Sequence, residues 1–284
     1  MFTSALDQTV VATAVPTIVS ELHDAGGYVW IGSAYLLANA AAGPIWAKIS
    51  DIWGRKVVIL TAIALFMCSS VLCAEARSMK MLIVARSLQG CAGGGMIQLV
   101  MITISDLFSI RYVDPRVGKL DWLLIENRHR SLYYGLLEVV WAVAGGTGPL
   151  AGGYLTERLS WRWAFWISVP ISGLTFLLLI VFLDVHNPRT SMVEGFKAVD
   201  WAGSLSILAM TLMLLLGLEF GGATFPWKSP EVLCLIIIGS LLSLLFIFSE
   251  QKLARYPIMP MDLFKRASNT ATLLLCFGHG MVSP

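Results

Sequence analysis

Long apolar runs separated by short polar segments dominate this sequence. Seven of the runs are long enough to cross the hydrocarbon core of a bilayer as a helix, which takes about 20 residues. These runs are 28–49, 57–76, 81–103, 132–155, 164–183, 201–220 and 232–249. Segments 1–22 and 270–284 resemble parts of two further spans. The pattern therefore predicts an all-α membrane protein, and we number its spans 1 to 9 in chain order.

The composition also favours a membrane environment. Hydrophobic residues make up 57% and charged residues 13% of the 284 residues, whereas about a quarter of a soluble domain is charged. The lysines and arginines lie in separate short loops rather than on one basic stripe, so nucleic acid is not expected as a partner. The sequence has no nucleotide-binding loop, no metal-ligand spacing and no nucleophile–base pair in a suitable context. We therefore expect no enzyme, no cofactor and no metal site.

Basic residues are distributed unevenly between the two sets of loops. The loops after spans 2, 4, 6 and 8 contain fourteen of the 20 lysines and arginines, and the loops on the other side contain five. Cytoplasmic loops hold the excess of basic residues in membrane proteins. The N-terminus and the loop 50–56 are therefore predicted to lie in the cytoplasm.

One short loop between spans 2 and 3 combines an acid, a glycine and two basic residues. Gly54 allows a sharp turn, and Asp51 can approach the exposed amides at the start of span 3. Arg55 and Lys56 can face anionic lipid or a neighbouring helix end. A loop that only fixes topology would have a similar composition, so both interpretations remain open.

Two spans contain charged residues at depths where a charge is costly. Arg86 lies within span 4, three residues before Gln89, and Asp7 lies within span 1. Such residues are functional by default, because unpaired charge in hydrocarbon is strongly disfavoured. Arg86 could instead extend to an interface, and Asp7 would lie near a helix end if the first residue is the true start. The sequence does not decide whether the acids Glu138 and Glu219 lie in the pore or at an interface.

Span 5 contains a glycine-rich run around a proline. Gly148 and Gly152 are four residues apart and share one helix face, so another backbone can approach them closely. Pro149 removes one backbone hydrogen bond and bends the helix. Gly145 and Gly153 flank this group. Tight helix packing is a sufficient explanation of the run on physical grounds.

Together with segments 161–170 and 225–230, these motifs resemble the major facilitator superfamily, and most closely the fourteen-helix drug:proton antiporters and toxin efflux pumps of fungi. The resemblance implies the N-terminal six-helix half of that fold followed by two to three further transmembrane helices.

The resemblance also implies roles for the motif residues. It implies proton coupling through Arg86, Gln89 and Asp7. The cytoplasmic gate motif would consist of Asp51, Gly54, Arg55 and Lys56, with Ala47 in place of the usual leading glycine. The motif that separates antiporters from symporters would consist of Gly145, Gly148, Pro149, Gly152 and Gly153.

The resemblance divides the chain into three parts. Residues 1–184 would form the N-terminal bundle with a shortened span 1, 185–200 a cytoplasmic linker, and 201–284 the spans 7, 8 and the start of 9. The family has a very short basic turn where this chain has 111–128. Codons for Arg111-Tyr112-Val113 and Asn127-Arg128 can form the donor and acceptor sites of a fungal intron. We therefore expect 111–128 to be a retained intron, with a longer amphipathic loop as the alternative.

A complete protein of this kind is expected to export small hydrophobic compounds, drugs or secondary metabolites in exchange for protons. Its partners would be that substrate, protons and the lipid bilayer, and we favour the plasma membrane over a vacuolar or vesicular membrane. Transport is expected only when a second half completes the fold, because the site lies between two halves. The alternatives are a siderophore-iron transporter of similar architecture and a non-functional truncated remnant.

Overall fold

Helices account for nearly all of the described structure. The computed structural model describes residues 1–107, 119–183, 201–222, 225–252 and 267–282. The helices within these ranges are α1 (Phe2–Leu22), α2 (Tyr28–Trp53), α3 (Arg55–Ala74), α4 (Met79–Leu107), α5 (Lys119–Arg158), α6 (Trp163–Trp166), α7 (Ser168–Phe182), α8 (Trp201–Phe220), α9 (Pro230–Lys252) and α10 (Ala267–Val282). In the described ranges the one strand-like pairing is an isolated bridge between Gly221 and Phe225. The predicted all-α fold is confirmed.

The seven predicted spans coincide with helices, but they differ in composition. Five segments of the described chain are long and apolar enough to cross a membrane: Arg55–Ala74, Met79–Asp106, Trp163–Phe182, Trp201–Phe220 and Pro230–Glu250. Helix α2 has 26 residues and α5 has 40, so both are long enough to span. Small and polar residues dilute their apolar runs, so neither helix has the apolar composition of the five.

A single residue joins α2 to α3. Gly54 has φ 91°, a conformation that residues with a side chain rarely adopt. Its amide donates a hydrogen bond to the carbonyl oxygen of Ser50 at 3.0 Å. The chain therefore reverses within one residue, and Asp51 and Arg55 come to lie on either side of the turn.

The chain divides into two compact units, Met1–Ser191 and Met192–Pro284. In the first unit α2 and α3 pack along α4, and α1 packs along α5. One apolar cluster of this unit includes Leu6 and Ala85, the neighbours in sequence of Asp7 and Arg86. A second cluster contains Phe66. The buried polar residues of α1 and α4 thus lie beside the first cluster.

In the second unit α8 and α9 form a closely packed antiparallel pair. A methyl group added at Gly217 would lie 2.9 Å from Cγ1 of Ile236, and one at Gly239 would lie 2.8 Å from Cγ of Leu214. Each glycine therefore receives an aliphatic side chain of the other helix, and the two backbones approach closely.

Part of the predicted organisation falls outside the described residues. The predicted linker 185–200 lies outside them, and so does the part 111–118 of the predicted insertion. Residues 119–128 form the first turns of α5.

Candidate functional site

The central polar site of the first unit joins α1 to α4. Asp7 and Gln89 are fully buried, and Arg86 is 2% exposed. Nη1 of Arg86 donates to Oδ2 of Asp7 at 2.5 Å, and Nε2 of Gln89 donates to Oδ1 at 2.9 Å. Arg86 and Gln89 reach the same carboxylate because residues three apart share a helix face. The structure therefore brings together the three residues that the sequence singles out for coupling.

Further hydrogen bonds connect this site to α2 and α3. Oε1 of Gln89 accepts from Nη1 of Arg86 at 2.8 Å and from the thiol of Cys73 at 3.5 Å. Nε2 of Gln89 also donates to Oγ of Ser70 at 2.9 Å. Nε of Arg86 donates to the carbonyl oxygen of Ile31 at 3.1 Å. Both carboxylate oxygens and two guanidinium nitrogens are thus satisfied, which is what a buried ion pair requires to be tolerated.

Aromatic rings complete the surroundings of Arg86. Its Cζ lies 4.4 Å from the ring centroid of Tyr35 and 5.8 Å from that of Phe165. Tyr35, Ser70 and Ile31 are site residues that sequence reasoning missed. Their residue types are ordinary in apolar spans, and only the relative rotation of the helices brings them to Arg86.

The glycine-rich run of α5 is divided between two environments. A methyl group at Gly148 would collide with the side chain of Thr9, and one at Gly152 would lie 2.6 Å from the carbonyl oxygen of Val10. Oγ1 of Thr9 also donates to the carbonyl oxygen of Ala144 at 3.1 Å. These two glycines therefore let α1 and α5 pack with their backbones close together.

The other three motif residues of the glycine-rich run, Gly145, Pro149 and Gly153, lie where space is open or the side chain is exposed. A methyl group at Gly145 or Gly153 would have no atom of another residue within 4 Å. Pro149 lies inside α5 and is exposed. Of the four predicted antiporter glycines, Gly148 and Gly152 are the two whose missing side chains make room for α1.

The turn between α2 and α3 is the centre of an ionic cluster at one end of the first unit. Nη1 of Arg55 pairs with Oδ1 of Asp51 at 2.6 Å, and Nε of Arg55 pairs with Oδ2 of Asp106 at 2.8 Å. Arg55 also donates to the hydroxyl of Ser50. Nζ of Lys56 donates to the carbonyl oxygen of Ile180 at 2.9 Å. The loop therefore connects α2 and α3 to the ends of α4 and α7.

Sequence reasoning missed Asp106 as a partner of Arg55. Asp106 lies at the end of α4, far from the loop in sequence, and an acid at that position could equally well face solvent. The signal that could have identified it is the charge match between the ends of span 4 and the loop after span 2.

A second ionic cluster lies at the opposite end of the first unit. Glu21, near the end of α1, accepts from Nε1 of Trp161 at 2.8 Å and from Nη1 of Arg162 at 2.7 Å. Nη2 of Arg162 donates to the carbonyl oxygen of Ala76 at 3.0 Å. The guanidinium also stacks 4.4 Å from the Trp161 ring centroid. This cluster connects α1, the α3–α4 turn and the segment before α6.

The two further acids that the sequence places at or near membrane depth lie elsewhere in the described structure. Glu138 is exposed on α5, and Glu219 is half-buried on α8 in the second unit. The described residues contain no group of three or more His, Cys, Asp or Glu side chains that could hold a metal ion.

Comparisons with known proteins agree with the features of this chain. A family model described as Major Facilitator Superfamily matches residues 1–282. The efflux pump dotC of Dothistroma septosporum is 46% identical over 282 residues, which are 99% of this chain and 46% of that protein. The MFS-type efflux pump LUC4 of a Fusarium species is 35% identical, over 99% of this chain and 47% of that protein. The efflux pump FUS6 of Gibberella moniliformis is 34% identical over the same shares, 99% and 47%.

The chain spans about half the length of the curated relatives it matches. The solved structure of the human organic anion transporter MFSD10 aligns with a TM-score of 0.45 and 13% identity, over 87% of this chain and 70% of that chain. The assignment therefore depends on the sequence matches, and these extend over nearly the whole chain. By those matches and by its membrane-spanning helices, the chain is an integral membrane protein that belongs to the major facilitator superfamily.

Proposed function

We propose that the protein containing this chain exports small hydrophobic compounds in exchange for protons. The observation that carries the proposal is the buried ion pair between Asp7 and Arg86, with Gln89 bonded to both. Charged residues inside membrane spans are expensive to keep and mark ion or proton pathways. The family match and the efflux-pump relatives support transport as the process in which this pair acts.

The chemistry of the pair fits proton coupling. Asp7 can exchange a proton, whereas Arg86 stays charged throughout. Protonation of Asp7 would remove the charge that Arg86 neutralises and leave an arginine buried without its counter-ion, which is strongly unfavourable. A conformation in which Arg86 finds another partner or water would then be favoured. Binding and release of one proton can thus bias two conformations of the bundle.

The ionic cluster around Arg55 fits a gate at the cytoplasmic end. Arg55 pairs with Asp51 on α2 and Asp106 on α4, and Lys56 binds the last turn of α7. These contacts fix the loop at one end of the first unit, where a gate against the part of the protein that corresponds to the other half of the relatives would form. The basic loops favour the cytoplasm for this end under the positive-inside rule.

The contacts of α5 with α1 fit a structural role for the antiporter motif. Gly148 and Gly152 let α5 approach the helix that contains Asp7. The second wall of a substrate cavity would come from the part of the protein that corresponds to the other half of the relatives. The plasma membrane is the membrane we propose for this export.

The first step of the test defines the protein to be purified. Sequencing of mature transcripts from the codon of Asp106 through the region after Ser283 shows whether 111–128 is translated and whether the reading frame continues past the codon of Pro284. We infer that 111–128 is a retained intron, and a mature transcript that still contains this segment would overturn that inference.

The transcript-encoded protein is then reconstituted into liposomes that contain a pH-sensitive dye, with rhodamine 6G as the transported probe. An imposed proton gradient should drive rhodamine movement, and rhodamine addition should release protons. Arg86→Ala and Asp7→Asn should abolish both signals while leaving membrane insertion intact. Normal gradient-driven transport by the Arg86→Ala variant, or rhodamine movement that ignores the gradient in the parent protein, would overturn the proposed function.

A further inference from the structure

We propose that Tyr35 is a positioning residue that holds the guanidinium group of Arg86 against Asp7. The inference rests on the proposed function, because it assigns to Tyr35 the task of keeping the coupling pair closed. Tyr35 lies on α2, which contains neither member of the pair, and it is 1% exposed.

The ring of Tyr35 supports Arg86 from one side. The guanidinium Cζ lies 4.4 Å from the ring centroid, within the range in which the electron-rich face of an aromatic ring attracts a cation. The site is fully buried, so water does not screen this attraction. The ring face therefore limits where the guanidinium can lie.

The backbone of the same helical turn also binds Arg86. Nε of Arg86 donates to the carbonyl oxygen of Ile31, which lies four residues before Tyr35. In an α-helix that oxygen also accepts the amide of Tyr35. One turn of α2 thus provides both a hydrogen-bond acceptor and a ring face to the same guanidinium group.

The hydroxyl group of Tyr35 contacts the helix of Asp7. Its Oη lies 2.7 Å from Oγ of Ser4, and either hydroxyl can donate. Ser4 precedes Asp7 by three residues and shares its face of α1. Tyr35 therefore contacts the two helices that contain the ion pair, α1 through its hydroxyl and α4 through its ring.

Glycines of α4 allow Tyr35 to lie this close. A methyl group at Gly90 would lie 2.8 Å from Cα of Tyr35, and one at Gly93 would collide with its hydroxyl oxygen. Both glycines follow Arg86 within two turns of α4. Tyr35 thus lies within the close approach of α2 to α4, which continues where Gly94 faces Asn39.

The proposal distinguishes two parts of one side chain. The ring acts on Arg86 directly, and the hydroxyl acts on the ring through its bond to Ser4. Removal of the ring should therefore disturb the pair more than removal of the hydroxyl. Tyr35→Phe should have at least the effect of Ser4→Ala, because it removes both the bond to Ser4 and the contact of the hydroxyl with Gln8.

The test measures how readily dicyclohexylcarbodiimide labels Asp7 in the purified chain. This reagent adds to protonated carboxyl groups in apolar surroundings, and an unpaired carboxylate in such surroundings takes up a proton. Tyr35→Leu should raise the labelling rate of the Asp7 peptide, read by mass spectrometry, by about tenfold, as expected for loss of a desolvated cation–π contact. Ser4→Ala should raise it by about twofold and Tyr35→Phe by at least that factor, and the double variant should equal Tyr35→Phe.

Two matched variants control for general loosening. Phe66→Leu removes a buried ring from the second apolar cluster, and Tyr134→Phe removes a hydroxyl that bonds to Met101 at 3.4 Å. Both should label at the parent rate. A Tyr35→Leu chain that elutes as a folded species and labels at the parent rate would overturn the proposal. Phe66→Leu labelling as fast as Tyr35→Leu would also overturn it.

A transport measurement separates this inference from the proposed function. The titratable side chains that face the Asp7–Arg86 pair in the described structure are Cys73 from α3 and Tyr35 from α2. In proteoliposomes, Tyr35→Leu should lower the maximal rate of gradient-driven rhodamine transport about tenfold, in line with the lost cation–π contact, with an unchanged half-saturation concentration. A raised half-saturation concentration with an unchanged maximal rate would instead make Tyr35 a substrate contact. Parent protein that ignores the gradient would overturn the proposed function alone, since labelling of Asp7 needs no transport.

Discussion

The buried pair in the middle of the first unit and the ionic clusters at its two ends use the same chemical groups in different surroundings. Arg86 and Asp7 are 2% and 0% exposed, whereas Arg162 and Glu21 are 33% and 48% exposed. The Arg55 cluster is intermediate, with an arginine that is 15% exposed between acids that are 56% and 47% exposed. Water can replace a lost partner at both ends of the unit and cannot do so in the middle.

This difference predicts which ion pairs tolerate the loss of one member. An exposed charge that loses its partner is solvated at once, so the cost is small. A buried charge that loses its partner stays desolvated, so the cost is large. Removal of one member of the buried pair should therefore destabilise the unit strongly, whereas removal of one member of an ion pair at either end should cost little.

The largest effect is expected from removing one member of the buried pair. Asp7→Leu alone should lower the free energy of unfolding by about 3–5 kcal/mol, because Arg86 is left buried and uncompensated. The midpoint of thermal unfolding of the purified chain in detergent measures this change.

A double variant sharpens that prediction. Asp7→Leu combined with Arg86→Met removes both charges and should recover most of the lost stability, while proton coupling should stay abolished. A double variant as unstable as Asp7→Leu would mean that the hydrogen bonds to Gln89 and Ile31, rather than charge balance, hold the site together.

A smaller effect is expected at the contact between α1 and α5. Gly152→Ala should destabilise the chain by about 1–3 kcal/mol, since the added methyl group must displace the backbone around Val10. Gly153→Ala is the matched control: its methyl group meets open space. Equal melting midpoints for the two variants would contradict the close approach of the helices.

A smaller effect again is expected at the turn between α2 and α3. Arg55→Gln should cost about 1–2 kcal/mol, because it removes two partly exposed ion pairs and leaves both acids accessible to water. Thermal unfolding measured in low and high salt checks this: the difference between variant and parent should shrink as salt is added. A loss as large as that of Asp7→Leu would remove the distinction between the middle and the ends.

The smallest effect is expected at the opposite end. Glu21→Gln should cost less than about 1 kcal/mol, because it breaks an exposed pair, keeps one acceptor oxygen, and leaves the other donor accessible to water. The same melting experiment applies, with the parent chain as reference. A shift comparable to that of Arg55→Gln would show that the Arg162 cluster stabilises the fold more than its exposure indicates.

The sequence was informative where a residue type is unusual for its surroundings. Arg86, Gln89 and Asp7 stand out because polar groups are rare in apolar spans, and the structure brings them into contact, although their role in coupling stays a prediction. Tyr35 and Ser70 do not stand out, because such residues are common in membrane helices. Their membership in the site depends on helix rotation and close approach, which hydrophobicity along a single chain does not encode.

The same distinction applies to the glycine run of α5. Its spacing indicated close packing on one face, and Gly148 and Gly152 do contact α1. The sequence did not specify the partner helix, since a small residue indicates close packing without indicating which element packs against it. Gly145 and Gly153 belong to the same sequence motif, but a methyl group at either position would meet open space.

The glycine pair of α8 and α9 has a consequence for how the second unit is made. Gly217 and Gly239 each receive an aliphatic side chain of the partner helix, and the turn between the helices is short. Where Gly217 and Gly239 lie, these two helices can therefore associate by shape alone soon after the second one is synthesised. During biogenesis α8 and α9 should enter the lipid already packed against each other. The charge of Asp7 on α1, by contrast, is neutralised only after α4 has been synthesised.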